Sequence, residues 1–227
     1  MNNFGKLYIV ATPIGNLEDI TLRALRVLKE VDLILCEDTR VTRKLLDRYE
    51  IKKPLLSYHH HSKLSRVEEI RKMISEGKSL ALVSDAGTPG VSDPGNILVE
   101  HIANNLRQKV DIVPIPGTSA VSAIASIAGI NMNKFCFLGF PPHKKGRETF
   151  FREVAAAKHP VIYFESPHRF LKNLELLEKL KPNAKLVVGR ELTKMFEEIK
   201  RGKIGEIREY FQGAEGKVKG EFAIVAY

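Results

Sequence analysis

Short apolar runs alternate with amphipathic segments in the first half of the chain. Runs rich in aliphatic and β-branched residues predict strands at 7–11, 31–36, 54–58, 80–84 and 110–115. Between them, 21–29 places Leu22, Leu25 and Leu28 on one helical face after a possible N-cap at Asp19, and a second predicted helix, 65–75, ends before Gly77. Strands that alternate with helices predict a mainly parallel sheet covered by helices.

The second half of the chain has longer and less regular connections. Apolar runs predict strands at 135–140, 161–165, 186–190, 196–200 and 221–226, several of them antiparallel, and Ser166-Pro167 begins a helix that extends to about Leu180. The predicted fold is therefore α/β with two α/β domains, 1–115 with a mainly parallel sheet and 116–227 with a mixed sheet. The boundary is expected within 114–117.

Composition narrows the class of protein. The 227 residues are 44% hydrophobic and 28% charged, with a formal net charge of +9, which favours a polyanionic partner such as nucleic acid without requiring one. No apolar run is long enough to cross a bilayer and no signal peptide is recognisable, so a cytoplasmic protein is expected. Cys36 and Cys136 lie in apolar runs without CxxC spacing, and both are expected to be buried thiols.

Three loops rich in glycine and proline follow predicted strands at 12–17, 84–95 and 114–120. The carboxyl ends of parallel strands share one sheet edge, where open α/β sheets bind ligands. These loops lack both the GK[ST] of a P-loop and the GxGxxG of a dinucleotide fold, so a small zwitterion is a better candidate ligand than a phosphate. The alternative is that each loop is only a tight turn.

Charged and histidine-rich segments also follow predicted strands. Residues 37–40 and 58–61 should line the same rim, but three adjacent histidines without a second ligand motif do not predict a metal site. Asp38 is either a functional carboxylate or the cap of a helix over 41–49. The segments 165–169 and 189–194 offer arginines for carboxylates or phosphates, or structural ion pairs, and the basic loop 141–147 is either an RNA contact or a solvated surface.

Taken together, these motifs resemble the tetrapyrrole methylase-like, or class III, S-adenosylmethionine-dependent methyltransferases, in particular the branch that modifies bacterial small-subunit ribosomal RNA. The resemblance is carried in order by LYIVATPIGNLEDITLRAL, EDTRVTRKLL, ALVSDAGTPGVSDPG, PIPGTSA, YFESPHR and VGRELTK. The chain departs from the family pattern at 58–62, where YHHHS replaces YHEHN, and at 116–120, where PGTSA replaces PGPSA.

The resemblance implies a homodimer that binds S-adenosylmethionine in the cleft between two domains and methylates the 2'-hydroxyl of a cytidine in the decoding region of 16S rRNA. The expected substrate form of this RNA is the 30S subunit. It also implies that the small helical extension found after the last strand of many relatives is absent from this chain. The cofactor contacts that it implies are Thr12, Pro13, Ser84, Asp85, Ala86, Gly87, Thr88, Gly117, Thr118, Ser119, Ala120, Phe164, Arg190, Glu191, Leu192 and Thr193.

Methyl transfer from a sulfonium needs no nucleophilic side chain, but a base near the ribose hydroxyl would help, and Asp38 and Glu191 are the candidates. Phosphates of the RNA are expected at Arg40, Arg43, His60, Lys144, Lys145, Arg147, Arg169 and Lys194. The alternatives are a methyltransferase of the same fold for a tetrapyrrole or other small molecule, and a basic RNA-binding protein without catalysis.

Overall fold

The computed structural model of the chain describes residues 4–59, 62–106, 110–213 and 218–227. It divides into two compact units, the first ending at Ser119 and the second beginning at Ala120. Each unit has a sheet of five strands and its own apolar core.

The first unit is a parallel sheet with strand order β3-β2-β4-β1-β5. Its strands are β1 (Leu7–Val10), β2 (Leu33–Cys36), β3 (Leu55–Ser57), β4 (Leu80–Leu82) and β5 (Ile112–Ile115). Its helices are α1 (Leu22–Glu30), α2 (Thr39–Arg48), α3 (Leu64–Ser75) and α4 (Asn96–Asn105), with a short 3-10 turn at Leu17–Asp19. The predicted parallel sheet is confirmed.

Side chains that point alternately to the two faces of the sheet form an apolar cluster on each face. Ile34 and Cys36 of β2 pack on one face with side chains of α1 and α2, whereas Leu35 packs on the other face with side chains of α3 and α4. Successive strand residues point to opposite faces, so a strand covered on both sides reads as a continuous apolar run. This is why the strands were recognisable in the sequence.

The cap of α1 differs from the sequence prediction. The N-cap is Thr21, whose side chain accepts a hydrogen bond from the backbone N–H of Ala24, while Asp19 lies in the preceding 3-10 turn. The prediction of a cap at Asp19 was therefore wrong. Threonine is also a favoured N-cap residue, and the extra 3-10 turn places Asp19 two residues before the cap position.

The second unit is a mixed sheet with strand order β6-β7-β10-β8-β9. Its strands are β6 (Cys136–Phe137), β7 (Val161–Glu165), β8 (Lys185–Arg190), β9 (Glu198–Lys203) and β10 (Phe222–Ala226). Its helices are α5 (Ala120–Ser126), α6 (Arg147–Ala156), α7 (Pro167–Leu180) and α8 (Ile204–Gln212). Among the described strand pairs of this sheet, β6–β7 is parallel and the other three are antiparallel, and the last strand, β10, lies at the centre between β7 and β8.

The core of the second unit is aromatic. The rings of Phe170 and Phe222 stack at a centroid distance of 4.0 Å, and Phe211 packs edge-on against both. These rings come from α7, β10 and α8, so they join the two helices to the central strand of the sheet. Such aromatic contacts add to the stabilisation from apolar burial alone.

Two predictions for the second unit were wrong. Cys136 is exposed, because β6 is a two-residue strand at the edge of the sheet and leaves this side chain uncovered. Phe196, predicted in a strand, lies exposed in the turn after β8, and β9 begins only at Glu198. In the described residues, no helix has the length and apolar character required to cross a membrane.

Candidate functional site

Loops after β1 and β4 are joined at the carboxyl edge of the first sheet. Thr12 and Gly87 exchange backbone hydrogen bonds of 2.8 and 3.0 Å, and the Thr12 hydroxyl donates to the carbonyl oxygen of Ser84 at 3.1 Å. Gly87 has φ +82°, a left-handed conformation that favours glycine. The two loops therefore form one unit, and the buried Thr12 and Ser84 hydroxyls hold it together.

The loop after β5 is bound to the same pair. The Thr88 hydroxyl donates to the carbonyl oxygen of Thr118 at 3.0 Å, and the Thr118 hydroxyl donates to the carbonyl oxygen of Thr12. A Cβ on Gly117 would lie 3.0 Å from the Cβ of Ala11, so glycine allows the close approach of the two loops. All three glycine loops predicted to share an edge are brought together.

A cavity of about 580 Å³ opens beside these loops, where β2, β3 and β4 end. It is lined by Glu37, Asp38, Thr39, Arg40, Ser57, His59 and Asp85. Three of these, Asp38, Arg40 and Asp85, were predicted site residues. Glu37, Thr39 and His59 belong to the segments 37–40 and 58–61, which were predicted to line this rim. Ser57 was missed, although it is the last residue of β3 and so lies at the carboxyl end of a strand.

Asp38 is the N-cap of α2. Its Oδ1 accepts from the backbone N–H of Arg40 at 2.8 Å, and its two oxygens receive the Arg40 guanidinium through Nε and Nη2. Hydrogen bonds from the Arg40 side chain and, to a smaller extent, from the Arg40 backbone N–H lower the pKa of Asp38 to about 2. The cap interpretation is confirmed, and Asp38 is a poor proton acceptor because its ionised form is strongly stabilised.

The Asp38→Asn variant tests this pairing through acid stability. Because the pKa of Asp38 falls from its ordinary 3.8 to about 2, its charge stabilises the fold above pH 4 and this contribution is lost as the pH falls towards 2. Asparagine also caps helices but carries no charge. We expect the variant to have a lower urea midpoint than the parent protein at pH 7, and the difference to narrow between pH 4 and 2.

Asp47→Asn is the matched control, since Asp47 lies on the same helix and makes no ion pair with any described residue. Circular dichroism at each pH would follow the urea transition. A difference for Asp38→Asn that stays constant down to pH 2, or an equal narrowing for Asp47→Asn, would contradict the ion-pair explanation.

In the second unit, the YFESPHR stretch forms a buried ion pair. The Glu165 side chain is fully buried at the end of β7, and its Oε1 lies 3.3 Å from Arg169 Nε. Glu165 also accepts from the Asn173 amide and, at 2.7 Å, from the backbone N–H of Ser166. Arg169 Nη1 donates to the carbonyl oxygen of Pro141 at 2.8 Å. These contacts support the structural alternative for Arg169.

The VGRELTK stretch makes a strained turn after β8. Glu191 and Thr193 have φ values of +51° and +67°, which are uncommon for residues with side chains and recur at functional sites. Burial opposes ionisation of Glu191, but hydrogen bonds from Lys194 Nζ and the backbone N–H of Glu221 outweigh it and lower the pKa of Glu191. Glu191 is thus held as an anion, which suits it poorly to accept a proton.

The cations of this turn are also paired. Burial opposes the charge of Lys194, yet Glu191 and Glu221, each 2.9 Å from Nζ, raise its pKa. Arg190 Nε lies 3.0 Å from Glu198 Oε2, and both side chains are largely buried. Leu192, which lies between Arg190 and Lys194 in the sequence, has a buried side chain. Ion pairs with Glu191, Glu198 and Glu221 therefore hold this turn in place.

The remaining predicted residues lie as follows. Phe164 is half-buried, with ring centroids 5.0 Å from Phe137 and 5.3 Å from Phe140. Lys144 and Lys145 are exposed in the loop before α6, and Arg147 is the first residue of that helix. Arg43 is exposed on α2, while Pro13 is buried, Ala86 is exposed, and Ser119 and Ala120 are half-buried. His60 lies outside the described residues.

Comparison with known proteins places this arrangement in a family. Residues 6–208 match the tetrapyrrole (corrin/porphyrin) methylases. The chain belongs to this family. A relative from Thermotoga maritima, named ribosomal RNA small subunit methyltransferase I, is 43% identical over 97% of both chains. One of the same name from Neisseria meningitidis serogroup B is 43% identical over 98% of this chain and 76% of its own. The resemblance drawn from the sequence is confirmed.

Solved structures show the shared fold. Cobalt precorrin-4 methyltransferase, a cobalamin biosynthetic enzyme, is 20% identical with a TM-score of 0.71 over 97% of this chain and 94% of its own. Diphthine synthase is 13% identical with a TM-score of 0.73 over 97% of this chain and 89% of its own. The α/β fold with one parallel and one mixed sheet is the one predicted.

Proposed function

We propose that this protein transfers the methyl group of S-adenosylmethionine to small-subunit ribosomal RNA, at the 2'-hydroxyl of a cytidine ribose. The observation that carries the proposal is the 43% identity, over 97% of both chains, with a relative named ribosomal RNA small subunit methyltransferase I. The homodimer and the 30S subunit as substrate stay predictions, which sedimentation equilibrium and a comparison of free rRNA with assembled subunits would test.

Relatives favour RNA over a tetrapyrrole as the methyl acceptor. Relatives between 41% and 45% identical carry the ribosomal RNA name. Cobalt precorrin-4 methyltransferase, a cobalamin biosynthetic enzyme, resembles the chain in fold at 20% identity. A non-catalytic RNA-binding protein is disfavoured because three loops are bonded into one cluster at the edge where α/β sheets bind ligands.

Each unit contains residues whose chemistry suits one part of S-adenosylmethionine. Ala86 and Gly117 are exposed in the bonded loop cluster, so this part of the backbone is accessible to the polar amino-acid part of a ligand. The half-buried Phe164 offers apolar surface of the kind that packs on an adenine ring. The bound cofactor would supply a methyl group that is already activated on sulfur.

The two candidate bases act better as positioning groups. Asp38 is held ionised by Arg40, and Glu191 by Lys194, so neither has the affinity for a proton that a general base needs near neutral pH. We propose that the chain promotes methyl transfer mainly by aligning the ribose hydroxyl and excluding water. Asp38 contributes by fixing the start of α2 and the Arg40 guanidinium at the cavity.

Methyl transfer into 30S subunits lacking the modification tests the function. The protein is incubated with isotopically labelled S-adenosylmethionine and subunits, the RNA is digested with nuclease, and nucleosides are identified by mass spectrometry. We expect label in 2'-O-methylcytidine or its base-methylated form. Label in a different nucleoside would contradict the cytidine assignment. Cofactor binding without any labelled RNA would contradict the RNA substrate and leave a small molecule as acceptor.

The loop before α6 is proposed to contact RNA phosphates. Lys144 and Lys145 are exposed and make no ion pair with any residue that the structure describes. Each phosphate contact to single-stranded RNA contributes about 0.7 to the slope of log affinity against log salt. We therefore expect a double alanine variant to reduce that slope by about 1.4, measured by filter binding over a salt series.

A second double alanine variant, at the consecutive residues Lys52 and Lys53, is the control for the loss of two positive charges. It should leave the salt slope close to that of the parent protein. An equal reduction in both variants would show that overall charge, and not the loop, determines RNA affinity.

A further inference from the structure

The cavity at the end of β2, β3 and β4 is acidic in a basic protein. Its lining includes the carboxylates of Glu37, Asp38 and Asp85 and the guanidinium of Arg40, a formal charge of −2 with His59 neutral, whereas the whole chain carries +9. A phosphate would meet net repulsion there. Net negative charge and several acceptor oxygens instead favour a ligand that presents hydrogen-bond donors.

Asp85 is the carboxylate that the fold leaves available. Its Oδ1 accepts from the backbone N–H of Asp38 at 3.0 Å, which fixes the side chain, and its Oδ2 has no hydrogen-bond donor among the described residues. Asp38 differs, because both of its oxygens are bonded to Arg40. One oriented and unsatisfied acceptor therefore faces a cavity whose volume is ordinary for small-ligand sites.

A donor lies in the same cavity. Arg40 is bonded to Asp38 through Nε and Nη2, and its Nη1 makes no hydrogen bond within the part of the chain that the structure describes. The Arg40 side chain is 87% exposed, so this nitrogen remains accessible. The cavity thus combines a fixed acceptor at Asp85 with a fixed donor at Arg40.

We propose that this cavity reads the base of the nucleotide to be methylated, with Asp85 Oδ2 accepting from an exocyclic amino group. This inference rests on the proposed RNA methyltransferase function. Cytosine presents an amino donor beside ring and carbonyl acceptors, which matches Asp85 and Arg40. Uracil presents a carbonyl oxygen in place of that amino group and would set an acceptor against the carboxylate. Asp85 is then a specificity residue and not a cofactor ligand.

Other occupants fit the cavity less well. No group of three or more histidine, cysteine, aspartate or glutamate side chains in the described ranges is arranged to hold a metal ion. The ammonium group of S-adenosylmethionine is the remaining donor that would suit a carboxylate. Experiments must therefore separate binding of a base amino group from binding of the cofactor ammonium.

Ligand-observed NMR titration with cytidine and with uridine measures the preference directly, using the full chain saturated with S-adenosylhomocysteine. We expect the parent protein to bind cytidine about tenfold more tightly than uridine. In Asp85→Asn the amide oxygen can keep the hydrogen bond from Asp38 N–H, which leaves the NH2 group as a donor towards the cavity, so this ratio should fall to one or below. Asp111→Asn, which removes an exposed carboxylate outside the cavity, should keep the ratio of the parent protein.

Calorimetric titration of each variant with S-adenosylmethionine supplies the second measurement. Unchanged cofactor affinity in Asp85→Asn, together with the lost cytidine preference, supports the proposal. Weaker cofactor binding in that variant would overturn it and make Asp85 a cofactor ligand. Equal binding of the two nucleosides by the parent protein, or a cytidine preference that survives in Asp85→Asn, would also overturn it.

Methyl transfer into 30S subunits keeps this inference separable from the proposed function. Transfer to RNA by a protein that binds both nucleosides equally would leave the function standing and remove the base-reading role. A cytidine preference that depends on Asp85, in a protein that methylates no RNA, would support the base-binding cavity and overturn the RNA methyltransferase function.

Discussion

Arg169→Ala is expected to lower the free energy of unfolding by about 3 kcal/mol. The variant leaves the carboxylate of Glu165, whose side chain is fully buried, without its cation. The Asn173 amide and the Ser166 backbone N–H would still donate to it, but a buried charge without an opposite charge is strongly destabilising. Urea titration followed by circular dichroism would measure the loss.

Arg152→Ala is the matched control. Arg152 makes an exposed ion pair with Glu148 on α6, and pairs of this kind contribute about 0.5 kcal/mol or less. A double variant, Glu165→Gln with Arg169→Met, removes both charges and should recover part of the stability lost in the single variant. A loss for Arg169→Ala no larger than that of the control would contradict a buried ion pair.

Gly189→Val is expected to weaken S-adenosylmethionine binding at least about tenfold and to cost about 2 kcal/mol of stability. A Cβ at this position in β8 would lie 2.8 Å from Leu192 Cδ2 and 2.9 Å from Ile124 Cδ1, closer than side chains pack. Both neighbours are buried, so Leu192 and the strained turn around it must move. That turn is part of the proposed cofactor site.

Gly213→Val is the control for the glycine-to-valine exchange. Gly213 is exposed after α8, with φ −76° and only an ordinary contact of 3.4 Å from its Cβ position to the carbonyl oxygen of Glu209. Calorimetric titration and urea denaturation of both variants give the two readouts. Full cofactor affinity in a folded Gly189→Val protein would exclude the turn after β8 from the cofactor site.

Much of the fold was accessible from the sequence because the strands of the first unit are buried on both faces. Such strands are continuous apolar runs, as in 80–84, and each is followed by glycine or polar residues. The second unit was harder, since its strands are mostly antiparallel and some lie at the sheet edge. Cys136 and Phe196 show the difference, because apolar character there does not correspond to burial.

The sequence predicted where the candidate site lies, but not which of its side chains are bonded to each other. Parallel strands place Thr12, Ser84 and Gly117 at one edge, and the structure brings their loops together. The sequence predicted Asp38 as a base or a helix cap and Asp85 as a cofactor contact, but it gave the hydrogen-bond partners of neither carboxylate. Only the structure shows that Asp38 is bonded to Arg40, whereas one oxygen of Asp85 has no donor among the residues that the structure describes.

The sequence by itself determined the alternation of strands and helices, the family, and the loops at the carboxyl edge of the first sheet. These depend on local periodicity and turn chemistry, which act over a few residues. The tertiary structure alone decided that the last strand, β10, is central in its sheet and that Glu165 is neutralised by Arg169. Strand order and ion pairing depend on which distant residues approach each other, because hydrogen bonds and charges act over a few ångströms in space whatever their separation along the chain.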